Sequence, residues 1–149
     1  MSLAPPPRLT RRRATPQDIP FLLDLRQRTM NGHIVASGAE ISDAHHMARL
    51  MYRFECAELL LHEGTPVGLL KVSRDAHEWV VIQIQLASGY QGGGIGTGLL
   101  AEVVDEAAHG GVDLTLSVLK ANPAKSLYQR FGFVVERETE FSCEMRRKP

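Results

Sequence analysis

Residues 91–98, Gln-Gly-Gly-Gly-Ile-Gly-Thr-Gly, have the composition and placement to grip phosphate oxygens. Five of the seven residues from Gly92 to Gly98 are glycine, so the backbone can turn sharply and approach a ligand with no Cβ in the way. An apolar run precedes the turn, and Leu99, Leu100, Val103 and Val104 follow it at helical spacing. A helix starting there aims its unpaired N–H groups and positive dipole end into the turn. Two familiar phosphate loops are excluded by residue type. A P-loop needs Lys and Ser or Thr after its last glycine, but Ile95 follows Gly94 and Leu99 follows Gly98. A dinucleotide fingerprint needs glycines at relative positions one, three and six, and no start in this segment supplies all three.

A second chemical cluster lies downstream, in residues 120–133: Lys-Ala-Asn-Pro-Ala-Lys-Ser-Leu-Tyr-Gln-Arg-Phe-Gly-Phe. Asn122 can cap free helical N–H groups, and Pro123 has its φ preset for a first turn. Leu127 and Phe131 share a helical face, and Gly132 ends the helix.

The spacing Gln91-x-x-Gly94-x-Gly96, preceded by Tyr90 and followed by Thr97-Gly98-Leu99-Leu100, resembles the acetyl-CoA signature of the GCN5-related N-acetyltransferases. Residues 122–133 resemble that family's second signature, in the same order along the chain. The resemblance implies an enzyme that moves an acetyl group from coenzyme A to a primary amine of a small molecule or peptide, by direct attack in a ternary complex. Acetyl-CoA is then the cosubstrate, and no metal is implied. By the same resemblance, Gln91, Gly92, Gly93, Gly94, Ile95, Gly96 and Thr97 hold the pyrophosphate. The backbone of Leu86 and Ser88 pairs with the pantetheine amides, and Asn122 and Lys125 lie beside the coenzyme. The N–H near Leu86 serves the oxyanion, and Tyr128 protonates the departing sulfur.

Amide formation sets what must be found: a deprotonated amine, a donor for the developing oxyanion, and a proton for the thiolate. Two departures from the family pattern stand out. Gly93 occupies a position that often carries Lys or Arg, leaving either a weaker grip on coenzyme or compensation by Lys125. Many relatives place Glu or Asp on the fourth strand, yet residues 80–86 contain no carboxylate. Glu78, at the start of that run, is the candidate base, with Gln83 or Gln85 able to orient a water relay. The absent strand carboxylate also leaves open a non-catalytic acyl-CoA-binding sensor or regulatory domain.

The elements that must position these groups read as one alternating α/β (α+β) domain over residues 8–149, after a loose proline-rich tail at 1–7. Residues 8–14 read as a strand. Thr15, Pro16 and Asp18 then start a helix running to about Met30, where Asn31-Gly32-His33 breaks it and 35–40 form a loop. Ser42 or Asp43 caps a second helix whose apolar side is Met47, Leu50, Met51 and Phe54. Strands follow at 57–62, 66–73 and 80–86, the first two joined by a short hairpin turn. In the third of these, Ile82, Ile84 and Leu86 form a dry face, while Gln83 and Gln85 face a polar site. A helix over 95–109, a strand over 114–119, the second-signature helix, and strands over 133–137 and 140–146 complete the chain. The order is that of a mixed, mostly antiparallel sheet of six to seven strands flanked by about four helices, as the resemblance also implies. Asn31 to Ser42 and the second helix are where acceptor specificity is expected.

Composition agrees with a small enzyme. The chain has 149 residues, 44% of them apolar, enough to fill one core. Lys plus Arg equals Asp plus Glu at 17 each, so the positive excess of a general nucleic-acid binder is missing. Arg11-Arg12-Arg13 reads as part of a strand. Two cysteines, Cys56 and Cys143, make neither a disulfide scaffold nor a four-ligand metal site. No apolar run approaches the ~18 residues of a membrane span, so a cytoplasmic location is expected. Glycine and apolar edge strands would allow a homodimer.

Overall fold

The computed structural model describes residues 8–36 and 42–149, with side chains described for 8–29 and 42–149. Seven strands form one sheet: β1 (Thr10–Arg13), β2 (Ala57–His62), β3 (Thr65–Arg74), β4 (Glu78–Leu86), β5 (Asp113–Leu119), β6 (Val134–Glu138) and β7 (Ser142–Arg147). Among the described residues four α-helices flank it: α1 (Ile19–Ala36), α2 (Asp43–Met51), α3 (Ile95–His109) and α4 (Lys125–Arg130). The sheet order is β1-β2-β3-β4-β5-β7-β6. Among the described residues only the β4–β5 pair is parallel, as expected where a crossover helix, α3, joins the two strands.

Local chemistry explains most boundaries. Thr15 and Asp18 form a reciprocal capping box before a 3-10 turn that leads into α1. Glu63 and Gly64 both adopt positive φ, the geometry of a tight hairpin turn between β2 and β3. Ser42 caps α2 by accepting the His45 N–H at 3.0 Å. α3 buries Leu99, Leu100, Val103, Val104 and Ala107 against Leu114, Leu116 and Val118 of β5. Full burial of each such aliphatic side chain stabilises by about 1.5–3 kcal/mol. A second, smaller core joins Leu22 and Leu25 of α1 and Leu50 of α2 to Leu59 and Leu69 on the opposite face of the sheet.

Five readings of the sequence need correction. α1 continues to Ala36 rather than ending at Met30; an interior glycine costs a helix only about 1 kcal/mol, too little to force a break. On α2 the buried side chains are His46 and Leu50, while Met47 and Met51 are 36% and 44% exposed. The reason is a constraint invisible to periodicity. The Lys71 ammonium, fully buried on β3, donates to the carbonyls of Arg49, Leu50 and Tyr52 at 3.3, 2.7 and 2.7 Å. That contact fixes the rotation of α2 about its axis. On β4, Gln83 and Gln85 are the buried pair and Ile82 and Ile84 are half-buried, because α1 and α2 cover the glutamine side. Finally, the sheet edges are charged rather than apolar. β1 carries Arg11, Arg12 and Arg13, and β6 carries Glu136, Arg137 and Glu138, a composition that discourages edge-to-edge pairing. The expected loop over 35–40 is helical at Val35 and Ala36, and 37–40 lie outside the described residues.

Candidate active site

β4 and β5 part company halfway along their length. They pair from Glu78↔Asp113 to Val81↔Leu116 and no further. Beyond Val81, β4 keeps only β3 as a neighbour, and the opening left between the strands belongs to a cavity of about 640 Å³. Register decides which groups face it. Ala87 N–H donates to Val67 O at 2.8 Å, making Leu86↔Gly68 a pair that exchanges no hydrogen bonds with each other. The N–H and C=O of Leu86 therefore point away from β3, into the opening. The Leu86 carbonyl accepts from Gln91 Nε2 at 2.7 Å, which leaves its N–H for a ligand. Gly68 permits this arrangement: a Cβ there would lie 2.4 Å from the Gln85 carbonyl oxygen.

The glycine turn is built around that one bond. Gln91 ties the loop back to the end of β4, and a bond of 2.7 Å between His62 Nδ1 and the Tyr90 hydroxyl ties it to the β2–β3 hairpin. Gly92 and Gly94 take φ of 76° and 86°, in the left-handed region that side chains disfavour. Gly94 is the N-cap of α3, and its carbonyl accepts from Gly98 N–H at 2.9 Å. Helical geometry then leaves the N–H groups of Ile95, Gly96 and Thr97 without partners inside the helix. Gly92, Gly94, Gly96 and Thr97 line the cavity. Gly93 and Lys125 are not in its wall, and the Ile95 side chain is buried in the core.

The opposite wall is positioned by a helix end. Gly132, at φ 94°, follows α4, and Phe133 N–H donates to Tyr128 O at 3.2 Å while Gly132 N–H donates to Gln129 O at 3.0 Å. These are the two bonds of a Schellman cap, and its usual hydrophobic contact is the edge-on packing of Tyr128 against Phe133, with ring centroids 6.0 Å apart. The spacing Tyr-x-x-x-Gly-Phe is thus a device for fixing one tyrosine ring. Burial raises the Tyr128 pKa, so the phenol keeps its proton at neutral pH. Asn122 also lines the cavity. Its side-chain oxygen accepts the Ala124 N–H at 2.9 Å, and α4 begins at Lys125, two residues later than the Asn-Pro pair suggests.

Leu86, Ser88, Gln91, Asn122 and Tyr128 therefore meet around one cavity. Glu78 does not join them. It sits at the far end of β4, where its carboxylate accepts from Arg146 at 3.1 Å and from the Thr115 hydroxyl at 3.2 Å. The eight-residue separation from Leu86 spans about 26 Å of extended chain, so the proposed base is a structural ion-pair partner. Several cavity residues on α1 were not singled out from the sequence: Phe21, Asp24, Leu25, Arg28 and Thr29. Only the amphipathic period of that helix hinted at them. Of the expected specificity segment, 30–41 lie outside the residues whose side chains are described.

A strand opening with a free N–H, a left-handed glycine N-cap and a buried phenol are what the phosphorylated pantetheine thioester implied by the sequence resemblance would need. The residues fit that ligand, because the unpaired α3 amides and the Leu86 N–H supply donors where phosphate and amide oxygens need them. The sequence model of the acetyltransferase (GNAT) family matches residues 22–133. The chain belongs to that family, and it is an acetyltransferase using acetyl-CoA.

Solved structures agree in fold. PaiA N-acetyltransferase from Thermoplasma acidophilum, in complex with coenzyme A, is similar at 16% identity and a TM-score of 0.73, over 95% of this chain and 99% of that one. An acetyltransferase from Thermus thermophilus is similar at 23% identity and a TM-score of 0.73, over 95% and 97%. The ribosomal-protein-S18-alanine N-acetyltransferase from Escherichia coli is similar at 21% and 0.70, over 95% and 94%. A comparison with curated proteins finds no match.

Proposed function

We propose that the protein transfers acetyl to a primary amine by direct attack in a ternary complex, and that the cavity between β4, α1, α3 and α4 is where the two substrates meet. The observation that carries this reading is the Leu86 N–H facing the strand opening, with the α3 amides on one side and Tyr128 on the other. The bound coenzyme supplies an activated acetyl thioester. The α3 N-terminus and the left-handed Gly94 hold the pyrophosphate by backbone N–H groups and helix dipole. Leu86 N–H donates to the thioester oxygen as it gains negative charge, which is where a preorganised donor accelerates acyl transfer most. The Tyr128 hydroxyl gives a proton to the departing sulfur. Gln85, in the cavity wall with an unpartnered Oε1, accepts from the incoming amine or from a water that takes its proton.

Calorimetric titration with acetyl-CoA, using ATP and NAD as controls, tests the coenzyme site. Saturable binding of acetyl-CoA alone is expected, followed by thiol release in the presence of an accepted amine. Binding to a control, or to nothing, refutes the reading. Acetyl-CoA binding with no thiol release across amines and peptides points instead to a sensor.

A further inference from the structure

The stripe that α1 buries against the sheet is Leu22, Leu25 and Arg26, at 0%, 3% and 4% exposure. Arg26 has no partner for its Nε, and no described carboxylate acts on it. Its charged neighbours share its sign. Burial first, and then Arg49, bring the Arg26 pKa down to about 10, and Arg26 in turn acts on His46 of α2 and Lys71 of β3. Lys71 spends its donors on α2 carbonyls, so Arg26 is the cation with bonds to give. Nearby acids are engaged elsewhere. Asp43 accepts from Gln27 at 3.0 Å, Glu55 pairs with Arg53 at 3.0 Å, and Asp24 pairs with Arg28 at 3.0 Å.

Two amides stand on the same face. Gln83 lies directly across the ladder from Lys71, 7% exposed, with neither end of its amide partnered. Gln85, two residues on, is 5% exposed and reaches the cavity wall with Leu25 and Thr29. A buried guanidinium without a counter-charge and a buried amide without a bond are each costly. Neither Arg26 nor Gln83 is in the cavity wall, but Gln85 beside them is, and both costs fall if an anion with two acceptor oxygens reaches past it, since guanidinium and carboxylate match as a fork.

We infer that the acceptor is an amine that also carries a carboxylate, an amino-acid-like molecule whose carboxylate is received by Arg26 and Gln83 beneath α1 and α2 while its nitrogen faces the acetyl group. This rests on the transferase reading above. The Gln85 Oε1 bridges the two ends, accepting from the nitrogen on the cavity side.

The experiment uses the full chain and matched acceptor pairs: L-α-amino acids and ω-amino acids of two to six carbons, each against its carboxamide. Thiol release is measured per free amine, because amidation lowers the pKa of a nearby amine. A preference of about tenfold or more in kcat/KM for at least one carboxylate over its amide is expected, the scale of one charge-assisted pair. Arg26→Gln brings that ratio to within about twofold of unity by raising KM for the carboxylate alone, and Arg26→Lys restores part of it. Amides accepted as well as acids, no transfer to any member of the panel, or equal losses for both forms in Arg26→Gln each overturn the inference. If Arg26→Gln does not fold, Gln83→Leu is put through the same pairs; an unchanged preference there overturns it as well. Acetyl-CoA titration keeps the two readings apart. Binding with carboxylate-blind transfer sinks only the acceptor assignment, whereas no binding sinks the transferase reading beneath it.

Discussion

The two flanks of β4 solve the problem of holding a ligand in opposite ways. On the α3–α4 flank the cavity is lined by left-handed glycines, a helix N-terminus and one strand N–H, together with Asn122 and with Tyr128, which a Schellman cap outside the wall holds in place. On the α1–α2 flank the buried polar side chain in the wall is Gln85, and Arg26, Gln83, Lys71 and His46 lie buried outside it. Backbone donors suit a ligand that every member of a family shares. Side-chain donors can be exchanged one at a time, and they suit the part of the reaction in which acceptors differ. The contrast predicts that substitutions on the first flank change coenzyme binding or turnover whatever the amine, and that substitutions on the second change stability or acceptor choice.

Tyr128→Phe gives the largest effect expected. Removing a general acid typically costs 10²–10⁴-fold in rate, and kcat should fall by about 100-fold while the Kd for acetyl-CoA stays within about twofold. Steady-state thiol release and calorimetry on one preparation check both halves. An unchanged kcat would take Tyr128 out of the chemistry and leave it as packing for Phe133.

Lys71→Met tests the other flank. It strands the three carbonyls of Arg49, Leu50 and Tyr52 that now share one buried ammonium. Each buried acceptor left unpaired costs about 1–3 kcal/mol, partly offset by removing a buried charge. A net loss of about 3 kcal/mol in denaturant unfolding is expected, with acetyl-CoA affinity per folded molecule unchanged. Gly68→Ala belongs between the flanks. A methyl 2.4 Å from the Gln85 carbonyl must push β4 away. About 2 kcal/mol of stability should go, together with the alignment of Leu86 N–H, so stability and turnover fall together. Denaturant melts paired with single-turnover rates separate this from the other two substitutions.

The same contrast explains what could be read from the chain. The coenzyme flank is made by residues close in sequence: Gln91 reaches five residues back to Leu86, and Tyr128 is locked by Gly132 and Phe133. Such devices leave a spacing, and spacing is visible. The succession of strands and helices, the α3 boundaries and the two segments 91–98 and 122–133 were legible for that reason. The other flank depends on Lys71 reaching α2, 19 to 22 residues away, and on Arg26 lying under the sheet. No period marks these contacts. A lysine in an apolar strand, Leu69-Leu70-Lys71-Val72, was the only signal, and it says that something polar is buried without saying against what. Glu78 misled for the converse reason: proximity in sequence to β4 suggested a base, but an extended strand carries its first residue far from its last.

The smallest effect should be the pH dependence contributed by Asp18, which belongs to neither flank. Hydrogen bonds from Arg12, at 2.8 and 3.0 Å, lower its pKa from 3.8 to about 2, against some desolvation and with help from the Thr15 N–H. The folded state holds the proton less tightly than the unfolded one, so the stabilisation is complete above about pH 4. It is lost as pH falls through about 2. Because Arg12 is 45% exposed, water and salt screen the pair, and about 1 kcal/mol is the expected size. Asp18→Asn should flatten that segment of the stability–pH curve and leave acetyl-CoA binding and the acid-over-amide ratio untouched. A change in either would mean that the capping box at the start of α1 controls the cavity wall that Phe21, Leu25 and Thr29 contribute, and the two flanks would then be coupled through that helix rather than independent.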